Sequence, residues 1–280
     1  MSAAHDDGRF EGAGGIEIYW QCWTPADGAR AVVVLAHGAS EHSGRYAWVA
    51  EQLAERGYAL YALDHRGHGY SGGSRAVIDR LDRALADIDT TRELASSRHP
   101  DVPVFLLGHS IGGCLAIAYT LRHQERLDGL ALSGAVAALE TASPVTRALG
   151  ALLSAVAPKV GVFTVDPNLV SRDPNVVRDY EQDPINYHGK LPARTVAEVS
   201  SAIRGFPEEV PRLRLPLLVM YGTADELVLP DGSVMVHERA GSTDKRIIAY
   251  EGLYHEILNE PERGRVVGDL ASWLDAHLAR

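Results

Sequence analysis

Cysteine is scarce: 280 residues contain two, Cys22 and Cys114. Their spacing makes neither a disulfide framework nor a Cys-x-x-Cys metal pattern, and Cys114 is expected as a small core residue. Long apolar runs are missing too. None approaches the ~20 residues that span a bilayer, so no transmembrane segment is expected. The opening residues Met-Ser-Ala-Ala-His-Asp-Asp-Gly are acidic and have no apolar centre. They lack the features of a signal peptide, and the expectation is a soluble protein of the cytoplasm. Positive charge is in deficit, with 27 Lys and Arg against 37 Asp and Glu for a net charge of −10. A nucleic-acid partner needs a basic field to replace phosphate counterions, which excludes that class here. Internal repeats and low-complexity tracts are also absent.

What remains is ordinary globular composition, 46% apolar and 23% charged, enough for one large domain or one domain with an inserted cap. Strand and helix signals alternate. Ile16 to Trp23 reads as a strand ended by Thr24-Pro25-Ala26-Asp27-Gly28. Ala31 to Ala36 and Tyr58 to Leu63 are continuous apolar runs suited to parallel strands covered on both faces. Helical spacing follows each, first around Trp48 and Leu53, then over about 79–97 through Leu81, Leu85, Ile88 and Ala95. Strands are expected again at Val104–Leu107, Leu130–Leu132, Pro216–Tyr221 and Arg246–Tyr250, with helices at Asp231–Arg239 and from about Pro261 to Leu278. This alternation predicts an α/β fold, a mostly parallel sheet wrapped on both sides by helices.

The rhythm breaks from about 135 to 214. That stretch shows no clear strand, an amphipathic set at Val145, Leu149, Leu152, Leu153 and Val156, and frequent prolines. The reading is a core of 1–134 and 215–280, with 135–214 inserted as a largely helical cap.

One stretch carries the chemistry. Gly108-His109-Ser110-Ile111-Gly112 matches G-x-S-x-G between an apolar strand and a helix carrying Leu115, Ile117, Ala118 and Leu121. A turn that sharp crowds the positions two residues either side of the serine, so both are glycine. The bland alternative is a Gly-rich turn with an exposed serine. A serine nucleophile needs a base, and the base an orienting acid. In the order Ser…Asp/Glu…His, the acid follows a late strand and the histidine lies in the loop before the last helix. Asp225 directly follows the 216–221 strand and His255 the 246–250 strand. Glu226 and Asp231 compete with Asp225; His277 falls inside the last helix and is expected at the surface. Two backbone N–H groups complete an oxyanion hole, from Ile111 and from Ala39 after the 31–36 strand, each donor worth about 3 kcal/mol in the transition state.

Two other patterns carry less. Gly67-His68-Gly69-Tyr70-Ser71-Gly72 formally fits G-x-G-x-x-G. The acids about 20 positions on, such as Asp87, lie within a helix rather than at a strand end, which argues against a dinucleotide site. His65 and His68 beside Asp64 lack a second ligand pair, and a structural turn is the reading there.

Together these residues resemble the α/β-hydrolases of the monoacylglycerol lipase type, within the broad serine aminopeptidase S33 and lysophospholipase grouping. The resemblance rests on His37-Gly-Ala-Ser-Glu-His-Ser-Gly-Arg-Tyr46, Asp64-His-Arg-Gly-His-Gly-Tyr-Ser71 and Gly108-His-Ser-Ile-Gly-Gly113. It continues through Tyr221-Gly-Thr-Ala-Asp225, Tyr250-Glu-Gly-Leu-Tyr-His-Glu256 and Leu258-Asn-Glu-Pro261. It spans nearly the whole chain, is weakest over 135–215, and is most marked toward actinobacterial members. It implies a triad of Ser110, Asp225 and His255, with the oxyanion hole at Ala39 and Ile111. It also implies a small glycerol pocket near Glu41, Arg45 and Tyr180, the cap tyrosine before Asp183-Pro184. Glu41 and Arg45 have a second reading, an ion pair that braces the oxyanion loop. The implied activity is cleavage of monoacylglycerol to glycerol and fatty acid, without metal or cofactor. General carboxylesterase and lysophospholipase activity share the same triad, and a non-catalytic hydrolase-fold binding protein is the alternative outside enzymes. Dehalogenase or epoxide hydrolase chemistry is disfavoured, since those relatives carry aspartate where Ser110 stands. The expected partner is a lipid ester, with peripheral membrane contact through apolar residues of 145–163.

Overall fold

The structure is a computed structural model that describes residues 3–138 and 153–278. Strands β3 (Ala31–Ala36), β4 (Tyr58–Leu63) and β5 (Val104–His109) are buried at every position. Their continuous apolar runs follow from the strand's two-residue period, which sends alternate side chains to opposite faces. Val32, Val34 and Ala36 enter one core layer, while Ala31, Val33 and Leu35 enter the other. Helices α2 (Leu81–Arg98) and α3 (Ile111–His123) cover the first face. Helix α1 (Ala47–Ala54) and the last helix, Arg263–Asp275, cover the second.

With β1 (Ala4–Gly12), β2 (Ile16–Thr24), β6 (Gly129–Ser133), β9 (Leu217–Gly222) and β10 (Lys245–Tyr250), these strands form one eight-stranded sheet. Its order is β1-β2-β4-β3-β5-β6-β9-β10. β1 pairs with β2 and β2 with β4 antiparallel; every later pairing is parallel. Parallel pairing puts the ends of β3, β5, β9 and β10 on one rim, where the loops of interest emerge.

Two expectations are corrected, and one element was not foreseen. The acidic opening residues, to which the sequence reading gave no element, form the edge strand β1, in register with β2 from Ala4 opposite Thr24 to Gly12 opposite Ile16. Its mostly exposed, charged side chains suit an edge that must not recruit another chain. Within 135–214 a small antiparallel pair does form, β7 (Gly161–Phe163) with β8 (Leu191–Pro192). Three and two residues are too short to leave a periodic pattern. His277 lies beyond the end of the last helix and is buried, its Nε2 3.1 Å from Asp244 Oδ2 and its ring 4.7 Å from that of Trp273.

The longer elements of that stretch, where described, are helices. Asp173 caps the helix Pro174–Gln182 by accepting the Asn175 N–H at 2.9 Å, with Pro174 at the first helical position. The longer helix Ala193–Glu209 sinks Val199, Ile203 and Phe206 into the same core layer as α3. Most of the amphipathic set expected at 145–156 lies outside the described residues.

Candidate active site

Ser110 stands between β5 and α3 with φ 53° and ψ −122°. A non-glycine residue there carries backbone strain of about 1–3 kcal/mol, so the surroundings must hold it. They do so through its carbonyl, which accepts the N–H groups of Gly113 (2.9 Å), Cys114 (3.3 Å) and Val136 (3.0 Å), and through its own N–H, donated to Ser133 O at 3.1 Å. Both flanking glycines are sterically required. A Cβ on Gly108 would sit 2.6 Å from Ala116 Cβ, and one on Gly112 would strike the carbonyl oxygens of Ala36 and His37.

The loops after β9 and β10 are locked together by the same close approach. Gly222 has no room for a Cβ against the Leu253 and Tyr254 carbonyls. Across that contact Thr223 N–H donates to Tyr250 O and Ala224 N–H to Leu253 O, each at 3.0 Å. Asp225 and His255 are thereby placed side by side, with His255 Nδ1 2.7 Å from Asp225 Oδ2. The other carboxylate oxygen, Oδ1, accepts the N–H groups of Leu227 (3.0 Å) and Val228 (2.9 Å). Glu226 and Asp231 are exposed on the wall of the adjacent cavity. Burial, the largest single influence on His255, pulls its pKa down, but the charge and hydrogen bond of Asp225 outweigh it and the net direction is up.

Ser110 and His255 open on one cavity of about 780 Å³ that also exposes Ala39, Ile111, Glu41 and Tyr180. The Ala39 and Ile111 N–H groups have no hydrogen-bond partner among the described residues; Ile111 opens α3, and a helix start leaves its first donors free. The far walls are apolar, with Val165, Leu169, Val170, Val196, Val199 and Leu227 among them.

Arg45 is not on the cavity surface. Its guanidinium spans two buried carboxylates, Glu41 (2.7 Å) and Glu256 (two contacts of 2.7 Å), and lies 4.9 Å from the Tyr180 ring centre. Glu41 Oε1 also accepts the Gly38 N–H at 2.5 Å and the Tyr46 hydroxyl at 2.7 Å. Glu256 is held down at about 2: burial opposes ionisation, and Arg45 overrides it. Glu41 moves upward because burial dominates and Glu256 adds repulsion, with Arg45 only partly offsetting both.

Two residues at the site had no role in the sequence reading, although both stand inside its motifs. Glu256 completes the Arg45 bridge. His109 packs its ring 4.8 Å from that of His255, with Nδ1 3.1 Å from Ser133 Oγ. Burial and then the neighbouring His255 push His109 down to about 3, so it stays neutral. His37, His65 and His68 cluster together, the His37 and His65 ring centres 4.3 Å apart and tilted, and His68 edge-on to His37 at 5.5 Å. Among the described residues no group of three or more His, Cys, Asp or Glu side chains is arranged to hold a metal ion.

A mostly parallel eight-stranded sheet with a serine elbow at the end of its central strand is the α/β-hydrolase fold. The chain belongs to the serine aminopeptidase S33 family, whose model matches residues 27–262. It is 41% identical over 279 residues to the monoacylglycerol lipase of Mycolicibacterium smegmatis, covering 99% of this chain and all of that protein. The monoglyceride lipase of Rattus norvegicus is 31% identical, covering 95% of this chain and 89% of the relative. Among solved structures, the monoacylglycerol lipase of Paleococcus ferrophilus superposes with a TM-score of 0.82 at 30% identity, covering 99% of this chain and 100% of that one.

Proposed function

We propose that the chain is a serine hydrolase that cleaves monoacylglycerol to glycerol and a free fatty acid. The observation that carries the reading is the meeting, on one apolar-walled cavity, of the strained Ser110 and the Asp225–His255 pair. His255 takes the Ser110 proton as the hydroxyl attacks the ester carbonyl. Asp225 holds the imidazole with Nδ1 protonated, leaving Nε2 as the base. The carbonyl oxygen becomes an oxyanion opposite the Ala39 and Ile111 N–H groups. His255 then protonates the departing glycerol, and water releases the fatty acid by the same route.

The described part of 135–214 acts as a cap over the rim and supplies much of the acyl-binding wall, including Val165, Leu169, Val170 and Val199. Each buried methylene is worth about 0.8 kcal/mol, so chain length enters binding at about fourfold per carbon until the wall is filled. Glu41 and Tyr180 face the cavity as polar groups for the glycerol hydroxyls, while Arg45 braces them from behind. Peripheral contact with a lipid surface is a second element of the reading. It is favoured by Val156, Val160, Val162 and Phe163, all exposed, with Val156 at 70%. Phe163 and the exposed Leu229 also line the cavity, so its mouth has an apolar rim. No helix among the described residues is long and apolar enough to cross a membrane.

The test is hydrolysis of one monoacylglycerol beside the matching diacylglycerol, triacylglycerol and lysophospholipid, with Ser110→Ala as control. Monoacylglycerol is expected to turn over fastest and the control to be inactive. Turnover of short simple esters alone would make the chain a general esterase. No serine-dependent turnover of any ester would return it to a binding protein.

A further inference from the structure

The loop that carries Ala39 is tied to the insertion at three points. Ser40 O accepts the Tyr187 N–H at 3.0 Å, the Arg45 guanidinium lies over Tyr180, and His42 Nε2 is 2.8 Å from Asp183 Oδ2. The third tie fixes a proton. His42 Nδ1 accepts the Gly44 N–H at 3.1 Å and so must carry a lone pair, which puts the ring hydrogen on Nε2, where it donates to Asp183. That Gly44 contact caps the 3₁₀ turn Ser43–Tyr46. The turn presents Arg45 and Tyr46, both of which bond Glu41, and Glu41 holds the Gly38 N–H immediately before Ala39.

From this chain of contacts we infer that Asp183 is a positioning residue for the oxyanion loop, acting from the insertion through the tautomer of His42. The inference rests on the hydrolase reading above. Asp183 is itself preorganised, since its other oxygen, Oδ1, accepts the Ile185 N–H at 2.8 Å. Its pKa is lowered: burial resists ionisation, and the His42 hydrogen bond and the Ile185 N–H together prevail. The turn has a second anchor on its far side, because Asp64 Oδ1 accepts both the Ser43 N–H (2.8 Å) and the Ser43 hydroxyl (2.6 Å). Losing Asp183 therefore loosens the loop without releasing it. The expected effect is about tenfold in kcat, short of the 10²–10³ that follows deletion of an oxyanion donor.

The experiment measures kcat and KM of full-length Asp183→Ala and Asp183→Asn on p-nitrophenyl butyrate, with wild type and Ser110→Ala alongside. Asp183→Ala is expected to lose about tenfold in kcat with KM changed by less than about twofold, the signature of an interaction expressed in the transition state. In Asp183→Asn the amide oxygen stays with the Ile185 N–H and the NH₂ faces His42 Nε2, which needs an acceptor there, so this near-isosteric variant should be about as slow as Asp183→Ala. Long-range ¹H–¹⁵N spectra of wild type should show His42 protonated on Nε2 alone, a readout that does not depend on any variant folding. A kcat for Asp183→Ala within twofold of wild type overturns the relay, as does an Asn variant that keeps the wild-type rate or a His42 protonated on Nδ1. Absence of Ser110-dependent turnover in wild type would instead remove the hydrolase reading itself, and the relay with it.

Discussion

Replacing Asp225 by Asn changes one atom, and the surroundings dictate what that atom does. Oδ1 accepts two backbone N–H groups, from Leu227 and Val228. An amide turned with its NH₂ toward those donors would lose both bonds and face them with like partial charge. The Asn oxygen therefore stays with the backbone, and its NH₂ is presented to His255 Nδ1, 2.7 Å away in the native pair. Nδ1 must then accept, the ring hydrogen moves to Nε2, and the nitrogen that should take the Ser110 proton already carries one. Geometry is kept while the wrong tautomer is installed, a change that costs about 10⁴ in kcat in serine hydrolases, or about 5.4 kcal/mol of barrier. Steady-state hydrolysis of a monoacylglycerol should show that fall with KM little altered, and the melting temperature should stay close to wild type. An Asn variant retaining more than about a tenth of wild-type kcat would refute the argument. The orienting acid would then be sought at Glu226 or Asp231, two carboxylates of the cavity wall close to Asp225 in the chain.

Three further outcomes are expected. The pH profile of kcat/KM should have an acid limb set by His255, whose pKa lies above its ordinary value: activity is full where the ring is neutral and falls as pH drops through that pKa. His109, held at about 3, should add no inflection near neutrality, and a limb that moves in His109→Gln but not in Asp225→Asn would contradict this. Gly112→Ala should unfold the elbow or misplace Ser110, since the added methyl meets two carbonyl oxygens at the end of β3 and just beyond it; a stable, fully active variant would show that the turn is slacker than described. Val160→Ser combined with Phe163→Ser should weaken binding to phosphatidylglycerol vesicles in a flotation assay, and unchanged binding would end the lipid-surface reading.

What was legible in the sequence shares one property: it is enforced locally. Strands β3, β4 and β5 read correctly because burial on both faces demands an unbroken apolar run. Ser110 stood out because a positive-φ turn needs glycine at 108 and 112, and Asp225 and His255 because parallel strands deliver their loops to one rim. β1 escaped notice since its stability comes from backbone pairing with β2 rather than from any apolar face. His277 was misplaced for a related reason: the partner that draws it inward, Asp244, is 33 positions away.

The supporting network around the site lies at the far end of that scale. Arg45 meets Glu256 across 211 positions, and His42 meets Asp183 across 141. Neither pairing imposes a backbone requirement on the residues between, so neither leaves a spacing to be read. The motif His37–Tyr46 nevertheless contains five of the groups that fix the oxyanion loop: Gly38, Glu41, His42, Arg45 and Tyr46. Its conformation is thus held jointly by Glu41 within the motif and by distant carboxylates that the motif does not contain. Two chains could share all ten motif residues and still differ in oxyanion geometry if one lacked the carboxylate at 183 or 256. The motif identifies the chemistry; its partners on the insertion and on the His255 loop set how well the donors are aimed.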